Sequence, residues 1–198
     1  MNLQEKFAYM ATGKPYNDLD PVLISARDQA TAKTNAINAT NDPAERARLF
    51  TELVGSTGAD PVVNPNFRCE FGTNIHVGRD FYANYDVVML DGGEITIGDR
   101  VLFGPKVGIY TSNHLFDPTE RQLGGCIAKP IMIGSQCWLA ANVSVMPGVT
   151  IGENTIIGAN SVVTHDIPAN VIAAGNPCQV LRPITVADKT GFVGQDFS

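Results

Sequence analysis

The sequence predicts a mainly β protein, a parallel β-helix of short stacked coils that follows an N-terminal cap of helices. Two observations indicate the coil: nine apolar residues between Ile97 and Val163 are spaced at multiples of six, without interruption from Ile133 onward, and glycine directly follows several of them. A third observation is that residues 1–60 lack this spacing and carry helix-start signals instead. A period of six fits neither an amphipathic helix nor an alternating strand, but it fits a coil whose flat sides each turn one aliphatic side chain inward.

Three helices are predicted for the N-terminal cap. One starts near residue 3, a second extends from 21 to about 40, and a third extends from 43 to 55. Asp20 and Asp42 precede the second and third helices, where a carboxylate accepts hydrogen bonds from free backbone N–H groups. A proline follows each aspartate at the first helical position, which the fixed φ of proline favours.

The inward side chains of the coil are predicted from the six-residue spacing. The nine positions are Ile97, Phe103, Ile109, Ile133, Leu139, Val145, Ile151, Ile157 and Val163. Glycines such as Gly98 and Gly134 follow directly, with Asn154 and similar residues close behind, so we expect tight corners with positive φ at these positions. Weaker units begin near Phe71, and the spacing shifts by two around Asp91.

Two segments interrupt or end the coil. Residues 111–130 keep the count of six, but their prolines, glycines and polar side chains cannot fill inward positions, so we expect a loop that leaves the coil. The coil is expected to end near Ala174. The predicted divisions are a helical cap at 1–60, the β-helix at 61–183 and a polar tail at 184–198.

Composition excludes several classes of function. The chain has 14 basic and 20 acidic residues, for a net charge of −6, and such an acidic balance disfavours nucleic acid and anionic membranes as partners. It shows no N-terminal signal pattern and no apolar run long enough to span a membrane, which predicts a cytoplasmic protein. Its four cysteines form no CxxC pair, so neither a zinc ribbon nor a redox motif is expected.

Ordered strings along nearly the whole chain resemble the maltose and galactoside O-acetyltransferases of the hexapeptide-repeat family. The matching strings lie at 13–16, 67–72, 74–78, 81–84, 113–114, 129–131, 138–140, 147–152, 166–168 and 173–177. The resemblance implies a left-handed parallel β-helix and a homotrimer with its sites between subunits. It also implies acetyl transfer from acetyl-CoA to a hydroxyl of a maltose-, glucose- or galactoside-like acceptor, with no metal required.

The resemblance implies two catalytic residues. His114 matches the general base: a sugar hydroxyl attacks a thioester poorly, so a neutral imidazole must accept its proton as the new bond forms. Direct transfer follows, without a nucleophilic cysteine or serine. Asn84 matches the residue that stabilises the tetrahedral intermediate and contacts both substrates, because an amide donor can face the developing oxyanion.

By the same resemblance, the acceptor site combines carboxylates, which accept hydrogen bonds from hydroxyls, with an aromatic ring that covers an apolar sugar face. The implied residues are Asp18, Arg27, Glu70, Tyr82 and Asp91. Glu70 departs from the galactoside branch, which has serine there. The dipeptide Asp91-Gly92 also replaces a paired acidic dipeptide of that branch. Cys126 stands where relatives have methionine or glutamate, and we expect it to line the acceptor pocket. His76 is expected to be structural.

The acetyl-CoA site is expected along the coil edge, where small residues let the pantetheine arm approach the backbone. The matching positions are Asn84, Trp138, Ala141, Ala159, Thr164, His165, Gln179 and Arg182. Arg182 is the expected partner of the nucleotide phosphates through charge-assisted pairing. His165 and Gln179 replace a lysine and an arginine of some relatives, and Trp138 fits equally a wall of the channel or a subunit interface.

Other interpretations stay open from the sequence alone. The same coil carries carbonic anhydrases of the γ type, which require three histidines around zinc. This chain has three in total, His76, His114 and His165, but without the close pair that such a metal site uses. A scaffold without catalytic activity would be expected to have lost the base. An amine or antibiotic acceptor is also compatible, because the fold does not determine the substrate.

Overall fold

The computed structural model describes residues 1–194, so residues 195–198 of the predicted tail lie outside the description. Within these residues, four α-helices span α1 Leu3–Met10, α2 Pro21–Ala39, α3 Pro43–Leu53 and α4 Pro118–Gln122, and a 3₁₀ turn spans Val186–Asp188. The strands are β1 Tyr16–Asn17, β2 Ser56–Thr57, β3 Val62–Val63, β4 Arg68–Cys69, β5 Ile75–Val77, β6 Tyr82–Ala83, β7 Val88–Leu90, β8 Ile95–Ile97, β9 Leu102–Phe103, β10 Gly108–Tyr110, β11 Ser112–His114, β12 Gly125–Ala128, β13 Ile131–Ile133, β14 Trp138–Leu139, β15 Ser144–Val145, β16 Thr150–Ile151, β17 Ile156–Ile157, β18 Val162–Val163, β19 Val171–Gly175 and β20 Cys178–Pro183.

The strands form a three-sided parallel β-helix. Face A contains β2, β5, β8, β13 and β16; face B contains β3, β6, β9, β14, β17, β19 and β20; and face C contains β4, β7, β10, β15 and β18. The chain visits the faces in the order A, B, C, so the corners are called AB, BC and CA. Every pairing between coils is parallel, and the final β19–β20 hairpin is antiparallel.

All nine predicted inward residues are buried in one continuous core. The compact residues four positions after them, such as Val101, Val143 and Thr155, are buried as well. Each side of a coil therefore turns two side chains inward, a larger one from the strand and a smaller one beside the corner. Burial of these aliphatic groups is the main stabilising contribution in such a solenoid.

The corner glycines have a different role from the one predicted. The positive φ values fall mostly on polar residues further along the corner, such as Arg100, Gln136 and Asn154, all at AB or BC corners. Gly134 is needed instead because the next coil passes close by: an added Cβ would lie 2.5 Å from the backbone nitrogen of Glu153. These glycines therefore allow the neighbouring coil to approach closely.

Gly152→Ala is expected to lower the free energy of unfolding by about 1–3 kcal/mol, because overpacking forces the backbone to shift. The added Cβ would lie 2.3 Å from the backbone nitrogen of Ala169, which is not the movable end of a side chain. Thermal denaturation followed by circular dichroism measures the effect. Gly194→Ala is the control, since an added Cβ there meets nothing within 4 Å. Equal melting temperatures for the two variants would contradict close approach as the reason for glycine.

The shift in spacing near Asp91 reflects longer coils in the first part of the solenoid. Val77 pairs with Ile97, twenty positions later, whereas Ile133 pairs with Ile151, eighteen positions later. The extra residues of the early coils lie in the CA corners, and both outer residues of each three-residue face A strand then point inward. The coil also begins at β2, a few residues before the predicted boundary at residue 61.

The helical cap closes the first end of the coil. Asp20 and Asp42 accept hydrogen bonds from the backbone N–H groups of Val22 and Ala44, as the sequence predicts. Phe50 of α3 packs edge-on against Phe67, with ring centres 5.2 Å apart, and aromatic contacts continue through the first coils to Phe103. Cap and coil therefore share one core.

The excursion at 111–130 is an ordered antiparallel hairpin. Strands β11 and β12 pair with each other, β1 pairs with β12 on the other side, and α4 forms the connection. A second buried cluster lies beneath it and contains Met10, Leu23 and Phe71. Phe71, which was expected to begin the coil, therefore packs against the cap, with its ring centre 5.1 Å from that of Phe7.

Candidate active site

The β11–β12 hairpin and the cap enclose a cavity of about 480 Å³ at the CA corner. Its lining comes from β1, α2, the first two coils and the hairpin. The lining residues are Tyr16, Asp18, Arg27, Thr31, Cys69, Glu70, Leu90, Ser112, Asn113, His114 and Cys126. The cavity thus brings together five predicted site residues from four distant parts of the sequence: Asp18, Arg27, Glu70, His114 and Cys126.

His114 ends strand β11 and is exposed in the single chain. It lies directly opposite Cys126 in the antiparallel register, and its Nδ1 is 3.1 Å from the Cys126 Sγ. Because this contact uses Nδ1, the other ring nitrogen, Nε2, is the one available to a hydroxyl in the cavity. The hairpin therefore presents an imidazole with a defined partner.

Arg27 links the cap to the coil by joining two carboxylates. Its Nε donates to Glu70 Oε1 at 2.9 Å, its Nη1 donates to the Asp18 carbonyl at 2.9 Å, and its Nη2 contacts the Asp18 carboxylate. The guanidinium also lies over the Phe71 ring, 5.2 Å from its centre. One cation thus faces two carboxylates, and its hydrogen bonds are directed to the protein.

Burial changes the acid–base behaviour of this cavity. It raises the pKa of Glu70, although the hydrogen bond and charge of Arg27 oppose the shift. Burial also raises the pKa of Cys126 to about 11, with smaller contributions from the charges of Asp18 and Glu70. The Cys126 thiol is therefore protonated near neutral pH, and it is not an activated nucleophile.

Asp91 was expected to contact the acceptor, and the structure corrects this expectation. Its side chain is fully buried and accepts hydrogen bonds from the backbone N–H groups of Glu70, Phe71 and Asn74, at 3.1, 2.8 and 3.2 Å. Asp91 therefore holds the corner that carries Glu70, beneath the cavity, and has no free surface for a sugar.

Tyr82 and Asn84 lie outside the lining of this cavity. Tyr82 points outward from face B, where its hydroxyl accepts from Asn64 Nδ2 at 2.9 Å. Asn84 follows at the BC corner, and its Oδ1 accepts from the backbone N–H of Tyr85 at 2.8 Å. His114 projects from the CA corner, so the two predicted catalytic residues occupy different edges of the chain.

The predicted acetyl-CoA residues are also divided between edges. Ala141 and Ala159 lie at the BC corner, while Thr164 and His165 lie at the CA corner, with Thr164 Oγ1 2.9 Å from His165 Nδ1. Trp138 is half-exposed on face B. One edge of the chain therefore holds only part of the predicted set.

Gln179 and Arg182 lie in the terminal strand β20, where Arg182 forms two hydrogen bonds with the Asp188 carboxylate, at 2.7 and 2.9 Å. This contact raises the pKa of Arg182 and holds the pKa of Asp188 well below its usual range. A phosphate group that binds Arg182 must therefore displace the Asp188 carboxylate or share the guanidinium with it.

Sequence reasoning missed several lining residues. Tyr16 and Ser112 approach each other across the cavity wall, with their hydroxyls 3.3 Å apart. Thr31, Cys69 and Leu90 complete the wall. Thr31 has one available signal, since it lies four residues after Arg27, one helical turn further along the same face of α2.

The described residues include no helix that is both long and apolar enough to cross a membrane. Within residues 1–194 of a single chain, no three His, Cys, Asp or Glu side chains are grouped so as to hold a metal ion.

Fold and cavity together define a hexapeptide-repeat transferase with an N-terminal cap. The family described as bacterial transferase hexapeptide (six repeats) matches residues 130–165, and the maltose acetyltransferase hexapeptide capping motif matches residues 9–58. The chain is 43% identical over 145 residues to galactoside O-acetyltransferase of Escherichia coli, covering 73% of this chain and 71% of that protein.

Solved structures of acetyltransferases are also similar to this chain in sequence and fold. A maltose O-acetyltransferase from Clostridium difficile is 41% identical with a TM-score of 0.88, covering 93% of this chain and 98% of that one. A hexapeptide-repeat acetyltransferase from Vibrio cholerae, complexed with acetyl coenzyme A, is 39% identical with a TM-score of 0.84, covering 91% and 98%. The chain belongs to the family of maltose and galactoside O-acetyltransferases.

Proposed function

We propose that this protein transfers an acetyl group from acetyl-CoA directly to a hydroxyl group of a sugar, with His114 as the general base. One observation carries the proposal: among the described residues, His114 is the one histidine that lines the cavity, where it stands on a hairpin and shares the lining with the carboxylates of Asp18 and Glu70. The relatives named as maltose and galactoside acetyltransferases support the choice of donor and acceptor.

The reaction needs a base and a stabilised oxyanion. Neutral His114 accepts the hydroxyl proton at Nε2 as the sugar oxygen attacks the thioester carbonyl, and the imidazolium then returns that proton to the departing CoA sulfur. An amide donor such as Asn84 stabilises the tetrahedral intermediate, a contribution of about 3 kcal/mol for one well-placed donor. The protonated thiol of Cys126 leaves direct transfer as the simpler route.

The position of Asn84 favours a shared site. His114 and Asn84 lie at different corners of one chain, so they can meet if the BC corner of one subunit faces the CA corner of the next. Face B also carries an outward apolar row in which Val62, Leu102 and Trp138 are each 47% exposed. A homotrimer that covers this row would bury apolar surface and complete the site.

In such a trimer, the two halves of the acetyl-CoA site also meet. Ala141 and Ala159 from one subunit would flank the pantetheine arm, with Thr164 and His165 from its neighbour on the other side. Arg182 would pair with a phosphate of the nucleotide, since a guanidinium matches phosphate geometry.

The acceptor is proposed to be a neutral, hydroxyl-rich sugar. Arg27 already pairs with Asp18 and Glu70, so the guanidinium is not free for an anionic acceptor. The remaining carboxylate oxygens suit hydroxyl donors.

An acceptor panel tests the proposal. Purified protein is incubated with acetyl-CoA and maltose, glucose, a thiogalactoside or glucosamine, and free CoA is measured together with the acetylated product. We expect acceptor-dependent CoA release, with the acetyl group on oxygen. Exclusive acetylation of the glucosamine nitrogen would show that the acceptor group is an amine and would contradict the proposed hydroxyl acceptor. No release with any acceptor, together with no acetyl-CoA binding by calorimetry, would favour a scaffold.

Mixed subunits test the shared site. Asn84→Ala is expected to lower kcat by about 10²- to 10³-fold, as expected for loss of an oxyanion donor. When Asn84→Ala and His114→Ala subunits are co-expressed in equal amounts and isolated through a common tag, about a quarter of the sites in random trimers combine both intact residues. Activity should return to about that fraction of the wild type. Activity that stays at the level of the separate variants would contradict a site shared between subunits.

A further inference from the structure

Cys126 occupies a rigid position beside the proposed base. It lies in the central strand of the three-stranded sheet β1–β12–β11, paired with Tyr16 on one side and His114 on the other. Its side chain is buried, and its Sγ is 3.1 Å from His114 Nδ1. Backbone pairing on both sides therefore fixes the thiol relative to the imidazole.

The geometry points to Cys126 as the positioning residue of His114, a neutral thiol that holds the imidazole through Nδ1 and leaves Nε2 directed at the acceptor. The inference rests on the proposed function and deepens it, because it assigns the group that orients the base. No bond to Cys126 forms or breaks during transfer: Nδ1 keeps its proton, which the sulfur accepts as a hydrogen bond, while Nε2 takes up and returns the hydroxyl proton.

A thiol at this position has a different effect from a carboxylate. Both can orient the ring, but a carboxylate also stabilises the charged imidazolium, and so a ring beside it takes up a proton at higher pH. The Cys126 thiol stays neutral because burial and the nearby carboxylates raise its pKa to about 11. Cys126 thus orients the base without promoting its protonation in the resting enzyme.

Other titratable groups line the same cavity as His114. They are Tyr16, Asp18, Arg27, Cys69, Glu70 and Cys126. Among the described residues, Cys126 alone is within hydrogen-bond distance of the His114 ring. A change confined to Cys126 therefore separates the direct contact from the general field of the cavity.

The experiment compares Cys126→Ser, Cys126→Ala and Cys126→Glu with the wild type. The pH titration of the His114 ring nitrogens is followed by NMR in ¹⁵N-labelled protein without substrates. Cys126→Glu is expected to raise the titration midpoint of His114 by about one pH unit or more, as an adjacent opposite charge does. Cys126→Ser should retain the wild-type tautomer. Cys137→Ser is the matched control, since that buried thiol donates to the Gly152 carbonyl inside the coil.

Kinetics then test the consequence for transfer. Cys126→Ala should lower kcat by about tenfold with little change in the KM for acetyl-CoA, because a misplaced base affects the chemical step. Cys126→Ser should stay within about threefold of the wild type, since a hydroxyl preserves the contact. In Cys126→Glu, the acid limb of the pH profile of kcat/KM should move to higher pH, in parallel with the NMR midpoint. A purely structural role would not move this limb.

Three results would overturn the inference: a His114 midpoint in Cys126→Glu equal to that of the wild type, full activity in Cys126→Ala, or an acetyl group on Cys126 by mass spectrometry. The NMR titration needs no acceptor, so it tests the contact even where the acceptor panel shows no transfer. Acetyl transfer that is insensitive to Cys126 substitution would remove the positioning role and leave the proposed function intact.

Discussion

Replacement of His114 by alanine is expected to lower kcat by about 10²- to 10⁴-fold, the range for loss of a general base. The hydroxyl proton then loses the imidazole that accepts it in the proposed mechanism. The side chain is exposed at the end of β11, so its removal should leave the melting temperature within about 2 °C of the wild type. Steady-state CoA release with a saturating acceptor measures the effect.

His76→Ala is the matched control for this variant. His76 points outward from face A, where its Nδ1 lies 2.9 Å from Ser56 Oγ, outside the lining of the cavity. It should retain wild-type kcat, in keeping with the structural role expected from the sequence. Near-full activity in His114→Ala would remove this residue from the mechanism, and an equal loss in both variants would indicate a general effect of histidine removal on assembly.

The interior of the coil could be predicted because one physical constraint repeats. Every side of a coil must turn an apolar residue inward, so Ile133, Leu139 and Val145 reveal their burial by spacing alone. The corners were less predictable, since the reason for Gly134 is the neighbouring coil and not its own φ. The spacing pattern does not show how closely the backbone of the next coil passes each corner.

The candidate site was predicted only through resemblance. Asp18, Arg27 and Glu70 converge because α2 packs across the first CA corner, and no periodicity in the sequence relates them. The contact between Cys126 and His114 depends on antiparallel pairing inside a segment that was expected to be a loop. Asn84 shows a stronger limit, because its proposed partner lies on another copy of the chain.

Asp91 shows how a resemblance can assign the wrong role to a residue. From the sequence alone, an aspartate at this position is compatible with hydroxyl recognition. In the fold, however, the CA corner is two residues longer than in later coils, and its backbone N–H groups need an acceptor. Asp91 satisfies three of them at a position without solvent. A buried donor without a partner costs about 1–3 kcal/mol, so the architectural demand determines the role of this side chain.

Replacement of Asp91 by alanine is therefore expected to lower the free energy of unfolding by about 3–5 kcal/mol, because three backbone N–H groups, among them the buried one of Phe71, lose their acceptor together. The corner that carries Glu70 should move as well, raising the KM for the acceptor. Urea denaturation measures the first effect and steady-state kinetics the second. Asp99→Ala is the control: Asp99 also accepts from a backbone N–H, that of Arg79 at 3.0 Å, but at an exposed AB corner.

The pair of variants separates the two roles of a corner aspartate. At Asp99, water replaces the lost carboxylate, so the cost should stay below about 1 kcal/mol. At Asp91, water has no access, and stability and acceptor binding should fall together. A direct acceptor ligand would give the opposite pattern, a raised KM with an unchanged unfolding midpoint. That pattern in Asp91→Ala would restore the role implied by resemblance and contradict the one that burial and hydrogen bonding assign.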